Sequence, residues 1–194
     1  FSVAVVMMGL AMMALFGMII LLPIYMQNVL GMEPLQSGLM LLPGGLLMGL
    51  LAPLVGRLFD AHGARKLVIP GSVAVSAALW LMTTYTPETV VPVVLAGHIL
   101  LSAGLAFLFT PLFTSSLGSL PRHLYSHGSA VIGTVQQVAG AAGIALFVSV
   151  MTVRSAAGLE NGLDEAHALS EGLQAGFLCG AIASLGMIVA SFFV

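Results

Sequence analysis

The chain has 194 residues, of which 59% are hydrophobic and 6% charged, with a formal net charge of −2. A soluble domain carries roughly a quarter charged residues, so a surface covered by water is excluded and lipid must face most of this chain. The near-neutral balance gives no signal for a nucleic-acid partner, and the single cysteine, Cys179, excludes a disulfide within the chain.

A membrane helix needs about 20 predominantly apolar residues. Six runs meet that length, at about 3–26, 37–59, 67–85, 90–113, 128–151 and 173–194. They are continuously apolar rather than alternating, which argues against a β-barrel. The first run is rich in methionine, from Met7 and Met8 to Met26, and closes on Tyr25, Gln27 and Asn28. Flexible thioethers suit varied apolar ligands as well as a packed core. The second run carries Pro43-Gly44-Gly45, Gly49, Pro53 and Gly56, which predicts a bent helix with a smooth face. A short basic link, Gly56 to Leu67, joins the second and third runs. The fourth run holds His98, the one titratable side chain placed well inside any run. The fifth holds Gln136 and Gln137 near its middle, with Gly133, Gly140 and Gly143 on one helical face. Residues 154–172 read as the longest connection, with a short surface helix over 163–169. The chain begins and ends inside apolar runs, so it is expected to be a piece of a longer protein.

Six crossings sort the connections onto two sides. Arg57, Arg65, Lys66 and Arg122 share one side with Asp60, whereas Arg154 shares the other with the remaining six acids. By the positive-inside rule the first side is cytoplasmic, and so are both ends of this segment. The first and fourth runs each pass from an apolar stretch through Pro to aliphatic, aromatic and polar residues, at Leu22-Pro23-Ile24-Tyr25 and Thr110-Pro111-Leu112-Phe113. These runs point in opposite directions, as in a three-plus-three inverted repeat.

No Asp, Glu, Lys or Arg lies deep in any run, so this chain lacks an acid to carry protons through the membrane. Unpaired amides in hydrocarbon cost several kcal/mol, so Gln136 and Gln137 should face protein or a wet cavity. Candidate substrate contacts are therefore Tyr25, Gln27, Asn28, His98, Gln136 and Gln137. Tyr25 reads first as an interfacial anchor, and Gln136 and Gln137 read equally as bonds between helices. No metal-ligand spacing, phosphate loop or nucleophile elbow is present, which leaves no basis for an enzyme.

The segment Gly56-Arg57-Leu58-Phe59-Asp60-Ala61-His62-Gly63-Ala64-Arg65-Lys66 resembles the signature loop of the major facilitator superfamily, which reads roughly G-x-L-a-D-r-x-G-r-k. Gly56, Leu58, Asp60, Gly63 and Arg65 match, while Ala61 and Ala64 stand where the family often has Arg. Together with Leu21–Gly31, Gln36–Gly44 and Ser129–Gly140, it is similar to the C-terminal part of the fourteen-span drug/proton antiporters. The resemblance implies an all-α, six-helix half of an exporter of drug-like compounds in a cell membrane. It would work by alternating access on the proton gradient, without a cofactor or metal. It implies as partners the lipid bilayer, a small-molecule substrate and a missing N-terminal half, which would hold the proton-carrying acid. Gly56, Arg57, Asp60, Gly63, Arg65 and Lys66 would form a cytoplasmic latch, with Asp60 paired to Arg57 or Arg65. Gly56 would permit a close helix approach and Gly63 a tight turn. Two other functions stay open: a same-fold exporter or flippase for one endogenous lipid, amino acid or siderophore, and a non-transporting subunit that binds a partner.

Overall fold

The computed structural model describes all 194 residues and contains six long helices joined by short links. Helix α1 spans Ser2–Ile24 and runs on through a wider π-helical turn, Tyr25–Val29. Pro23 removes one ladder donor just before this turn. The extra width lets consecutive Tyr25 and Met26 both point inward, and both are fully buried. Gly31, at φ +67°, then reverses the chain. Helix α2, Pro34–His62, starts with Pro in its first turn and a reciprocal cap between Glu33 and Gln36. It continues as helix through Pro43 and Pro53.

Helices α3 (Arg65–Met82) and α4 (Val91–Gly118) follow, then a single 3₁₀ turn at Arg122–Leu124. Helices α5 (Tyr125–Glu160) and α6 (Glu165–Ser191) complete the chain. All six are long and apolar enough to cross a membrane. The residues between α5 and α6 correct the sequence reading. There is no long connection at 154–172 and no separate surface helix at 163–169. Residues 154–160 extend α5, and 165–172 form the first turns of α6. The link is residues 161–164, where Gly162 at φ +85° turns the chain and Asp164 caps the next helix through the His167 backbone N–H. Hydrophobicity marks where oil ends, not where hydrogen bonding ends, and good helix formers such as Ala156 and Ala157 carry the ladder into water. Helix α3, in contrast, stops at Met82, short of the expected residue 85.

Helix α1 is the hub. Of its most apolar stretch 56% is buried, against 11% for α2 and 22% for α5. It packs on α5, α4 and α6, while α2 lies against α4, and α3 against α4 and α6. The pair α1–α5 is mirrored by α4–α2, as an inverted repeat requires. The match is not complete, because α5 lies along α6 far more closely than α2 along α3. The core is Met7, Met8, Leu21 and Leu22 of α1 against Val75, Leu79, Leu101, Leu105 and Phe177.

Close packing rather than hydrophobicity holds helices together in lipid, so small residues mark the crossings. At Gly143 an added Cβ would lie 2.7 Å from Cα of Met13, and at Gly104 2.8 Å from the backbone N of Val75. The hydroxyl of Ser184 donates to that of Ser76 at 2.8 Å, linking α6 to α3 inside the bilayer. The Gly45-xxx-Gly49 pair and Gly133 do not join this pattern. Nothing lies within 4 Å of a Cβ at any of the three.

Candidate functional site

The ends of the bundle carry opposite charge. At the basic end lie the α2–α3 and α4–α5 links, and the Phe1 ring approaches Gly128 near the start of α5. At the acidic end, the α3–α4 link meets both the π turn of α1 and the start of α6. The Tyr25 hydroxyl donates to the Thr86 carbonyl at 2.7 Å, and the Tyr25 ring stacks on Tyr85 at 5.2 Å. Phe177 meets Tyr85 edge-on at 6.1 Å. Burial, with Tyr25 alongside, pushes the Tyr85 phenol well above its ordinary range, so it stays neutral. Nearby, His167 lies 2.6 Å from Asp164 and 3.6 Å from Glu88. The Thr86 hydroxyl holds the exposed Glu88 carboxyl below its usual range, with a smaller pull from His167.

Between the two ends, one face of the bundle is hollow. One cavity of about 250 Å³ is lined by Leu15, Met18, Leu41, Gly45, His98 and Ser102, among others. A second, of about 460 Å³, is lined by Met12, Phe109, Thr110, Phe113, Thr114 and Gln136. Both are walled by Leu15 and Met48, so they stack along one face made by α1, α2 and α4 with a contribution from α5. No charged side chain lines either. Flexible methionines, two phenylalanines, three hydroxyls, one amide and an imidazole make a surface that accepts apolar molecules of varied shape.

Of the six expected substrate contacts, His98 and Gln136 line these cavities. His98 Nε2 donates to the Leu41 carbonyl at 3.0 Å, bridging α4 to α2. A carbonyl only accepts, so the proton sits on Nε2, and Nδ1 is enclosed without a partner. Gly44 leaves room for this ring and for Ser102. Gln136 Nε2 makes a long contact of 3.9 Å to Sδ of Met8. The other four fall elsewhere. Tyr25 is neither an anchor in lipid nor a cavity rim, because it is wholly buried against the α3–α4 link. Gln27 donates to the Ser37 hydroxyl at 2.9 Å and so ties the π turn to the start of α2. Asn28 and Gln137 are exposed and line neither cavity. Sequence reasoning missed Phe109, Thr110, Phe113 and Thr114. Their spacing on consecutive turns of α4 was visible, but nothing in it says which face is hollow.

In the signature-like loop, Gly63 takes φ +79° and closes α2 with a tight reversal into α3, as expected. The expected pairing of Asp60 with Arg57 or Arg65 is not formed; Asp60, Arg57, Arg65 and Lys66 are all exposed, and no ion pair joins them. Arg57 precedes Asp60 by three residues, the weaker order for a helix pair, and exposed pairs gain little over solvation. Gly56 makes no close approach, since no atom lies within 4 Å of a Cβ there.

Six apolar crossings around a buried hub, with an uncharged cavity on one face, define a multi-pass membrane protein. The chain belongs to the Major Facilitator Superfamily, whose family model matches residues 1–144. It is 36% identical to the lincomycin resistance protein LmrB of Listeria monocytogenes, over 99% of this chain and 42% of that protein. It is also 36% identical to the protein of the same name in Bacillus subtilis, over 100% of this chain and 42% of that protein. The multidrug resistance protein B homolog of Mycobacterium tuberculosis is 32% identical, over 72% of this chain and 26% of its own length. The chain thus spans about two fifths of the length of the first two of these curated relatives.

Proposed function

We propose that this chain is the C-terminal six-helix half of an exporter for apolar or amphipathic small molecules, in a cell membrane. The uncharged double cavity carries this reading. It lies where α1, α2 and α4 meet, beside the two least covered helices, α2 and α5. A second half laid on that face would close it. The names of the relatives, lincomycin and multidrug resistance proteins, support drug-like cargo. The charge sorting supports cytoplasmic ends for this segment. In this reading proton coupling runs through residues away from the cavity, which no Asp or Glu lines. Within this reading Tyr25 and Gln27 hold the framework, His98 and Gln136 meet cargo, and the exposed Asn28 and Gln137 touch neither cavity. The exposed latch residues await a partner in the other half, with Asp60 as the anion. The reading assigns transport, in keeping with the names of the relatives, which are those of resistance proteins and an MFS-type transporter.

Gly45→Leu tests it. Gly45 lines the smaller cavity and no atom lies within 4 Å of a Cβ built there, so Leu grows from open space into the hollow. In the complete protein, expressed in cells lacking their main drug pumps, this variant should insert normally and lose most dye or drug efflux. Efflux equal to the parent would overturn the cavity assignment.

A further inference from the structure

A third concavity lies away from the transport face, between α5 and α6 at the acidic end, with Thr83 from the end of α3 on its wall and a volume of about 680 Å³. Its walls include Val150 and Arg154 of α5, and Glu171, Gln174, Leu178 and Cys179 of α6. Val150 and Arg154 are four residues apart, one above the other on α5. Glu171, Gln174 and Leu178 likewise follow one stripe of α6. The helices run in opposite directions, so both place their polar groups toward the acidic end and their apolar groups deeper. Arg154 sits about 9 Å below the tip of α5 at 1.5 Å per residue, which puts it at headgroup level, with Val150, Leu178 and Cys179 facing the upper acyl chains.

The polar storey has a specific chemistry. Arg154 is the one Lys or Arg at the acidic end. It shares the groove with Glu171, yet the two make no ion pair. Gln174 is held in place, because its Nε2 donates to the Tyr85 carbonyl at 2.5 Å, beside the Ser170 hydroxyl at 3.2 Å. That leaves its Oε1 a fixed acceptor with no protein partner, and it is not sealed from the groove. One cationic fork therefore faces two acceptors above an apolar floor.

We propose that this groove binds a phospholipid whose headgroup joins a phosphate to a primary ammonium, that is, phosphatidylethanolamine. Arg154 takes the phosphate through its guanidinium fork. Glu171 and Gln174 take N–H groups of the ammonium, and an acyl chain lies over Val150, Leu178 and Cys179. A quaternary ammonium has no N–H to give these acceptors. A glycerol headgroup supplies no cation, and its net negative charge faces Glu171. The inference rests on the membrane placement of the helices and not on any transported compound.

The test uses the complete protein that carries this chain, in nanodiscs of defined lipid, with native mass spectrometry reading the lipids retained. The parent should retain phosphatidylethanolamine in preference to phosphatidylcholine and phosphatidylglycerol. Stepwise N-methylation of the headgroup should weaken retention with each N–H removed. Arg154→Gln with Glu171→Gln should cut the preference by about tenfold, the loss of one charged hydrogen bond. Both residues are exposed, so in phosphatidylcholine alone the double variant should unfold at the parent temperature. Equal retention of choline and ethanolamine lipids would overturn the proposal, as would a preference for the glycerol lipid or an unchanged preference in the double variant. Lower stability of the double variant in phosphatidylcholine alone would also overturn it, by showing that Arg154 and Glu171 pair with each other. None of these outcomes bears on efflux, which the Gly45→Leu variant reads separately.

Discussion

Asp60 is the one acid among four Lys and Arg at the basic end, and it stands exposed with no cation holding it. A charge that only set topology would be dispensable there, since acids contribute little to that rule. A charge that latches another half would not be. Asp60→Asn removes the charge and keeps the shape. In the complete protein it should lower efflux while leaving expression and unfolding temperature near those of the parent. Unaltered efflux would reduce Asp60 to solvated surface. At this scale the sequence was half readable. All four polar groups meet protein, as a polar group in hydrocarbon has to: His98 the Leu41 carbonyl, Gln136 the Met8 sulfur, Tyr25 the Thr86 carbonyl and Gln27 the Ser37 hydroxyl; only His98 and Gln136 also line a cavity. Polarity predicts that a partner exists and not whether it is cargo or backbone.

Among the elements, the crossing of α1 and α5 depends on two backbones nearly touching at Gly143 and Met13. Gly143→Leu forces them apart, which costs about 1–3 kcal/mol for overpacking. The variant should unfold several degrees earlier in detergent, whereas Gly133→Leu, at a site with open space, should not. A Gly133→Leu variant as unstable as Gly143→Leu would show that both sites pack. Helix existence was legible throughout, because an unbroken apolar run has one stable form in lipid. Helix ends were not, as the nine extra residues of α5 show, from Thr152 to Glu160. Nor were the working faces. Helices apolar on every side carry no stripe to mark the inward one, so Gly45, Gly49 and Gly133 looked like packing residues and prove open.

For the whole molecule, charge sorting and geometry agree on which links share a side. Glu88 meets His167 across two links of the acidic end, and Thr86 meets Tyr25 of the first helix end. Single cysteines introduced at Arg65 and at Glu165, in a Cys179→Ser background, should be labelled by an impermeant thiol reagent from opposite faces of intact cells. Glu165 should react outside and Arg65 only after permeabilisation. Labelling from the same face would dismantle both the six-crossing topology and the orientation.

The shortness of the links carries a mechanical consequence. Residues 63–64 join α2 to α3, and residues 161–164 join α5 to α6. A fully stretched residue reaches at most about 3.6 Å, so at those ends neither couple has slack to part. The eight residues from 83 to 90 have more length, but Tyr25, Ser170 and Gln174 all grip their backbone. Any large displacement within this chain must therefore be shared by neighbouring rods, which swing as coupled levers instead of sliding one at a time.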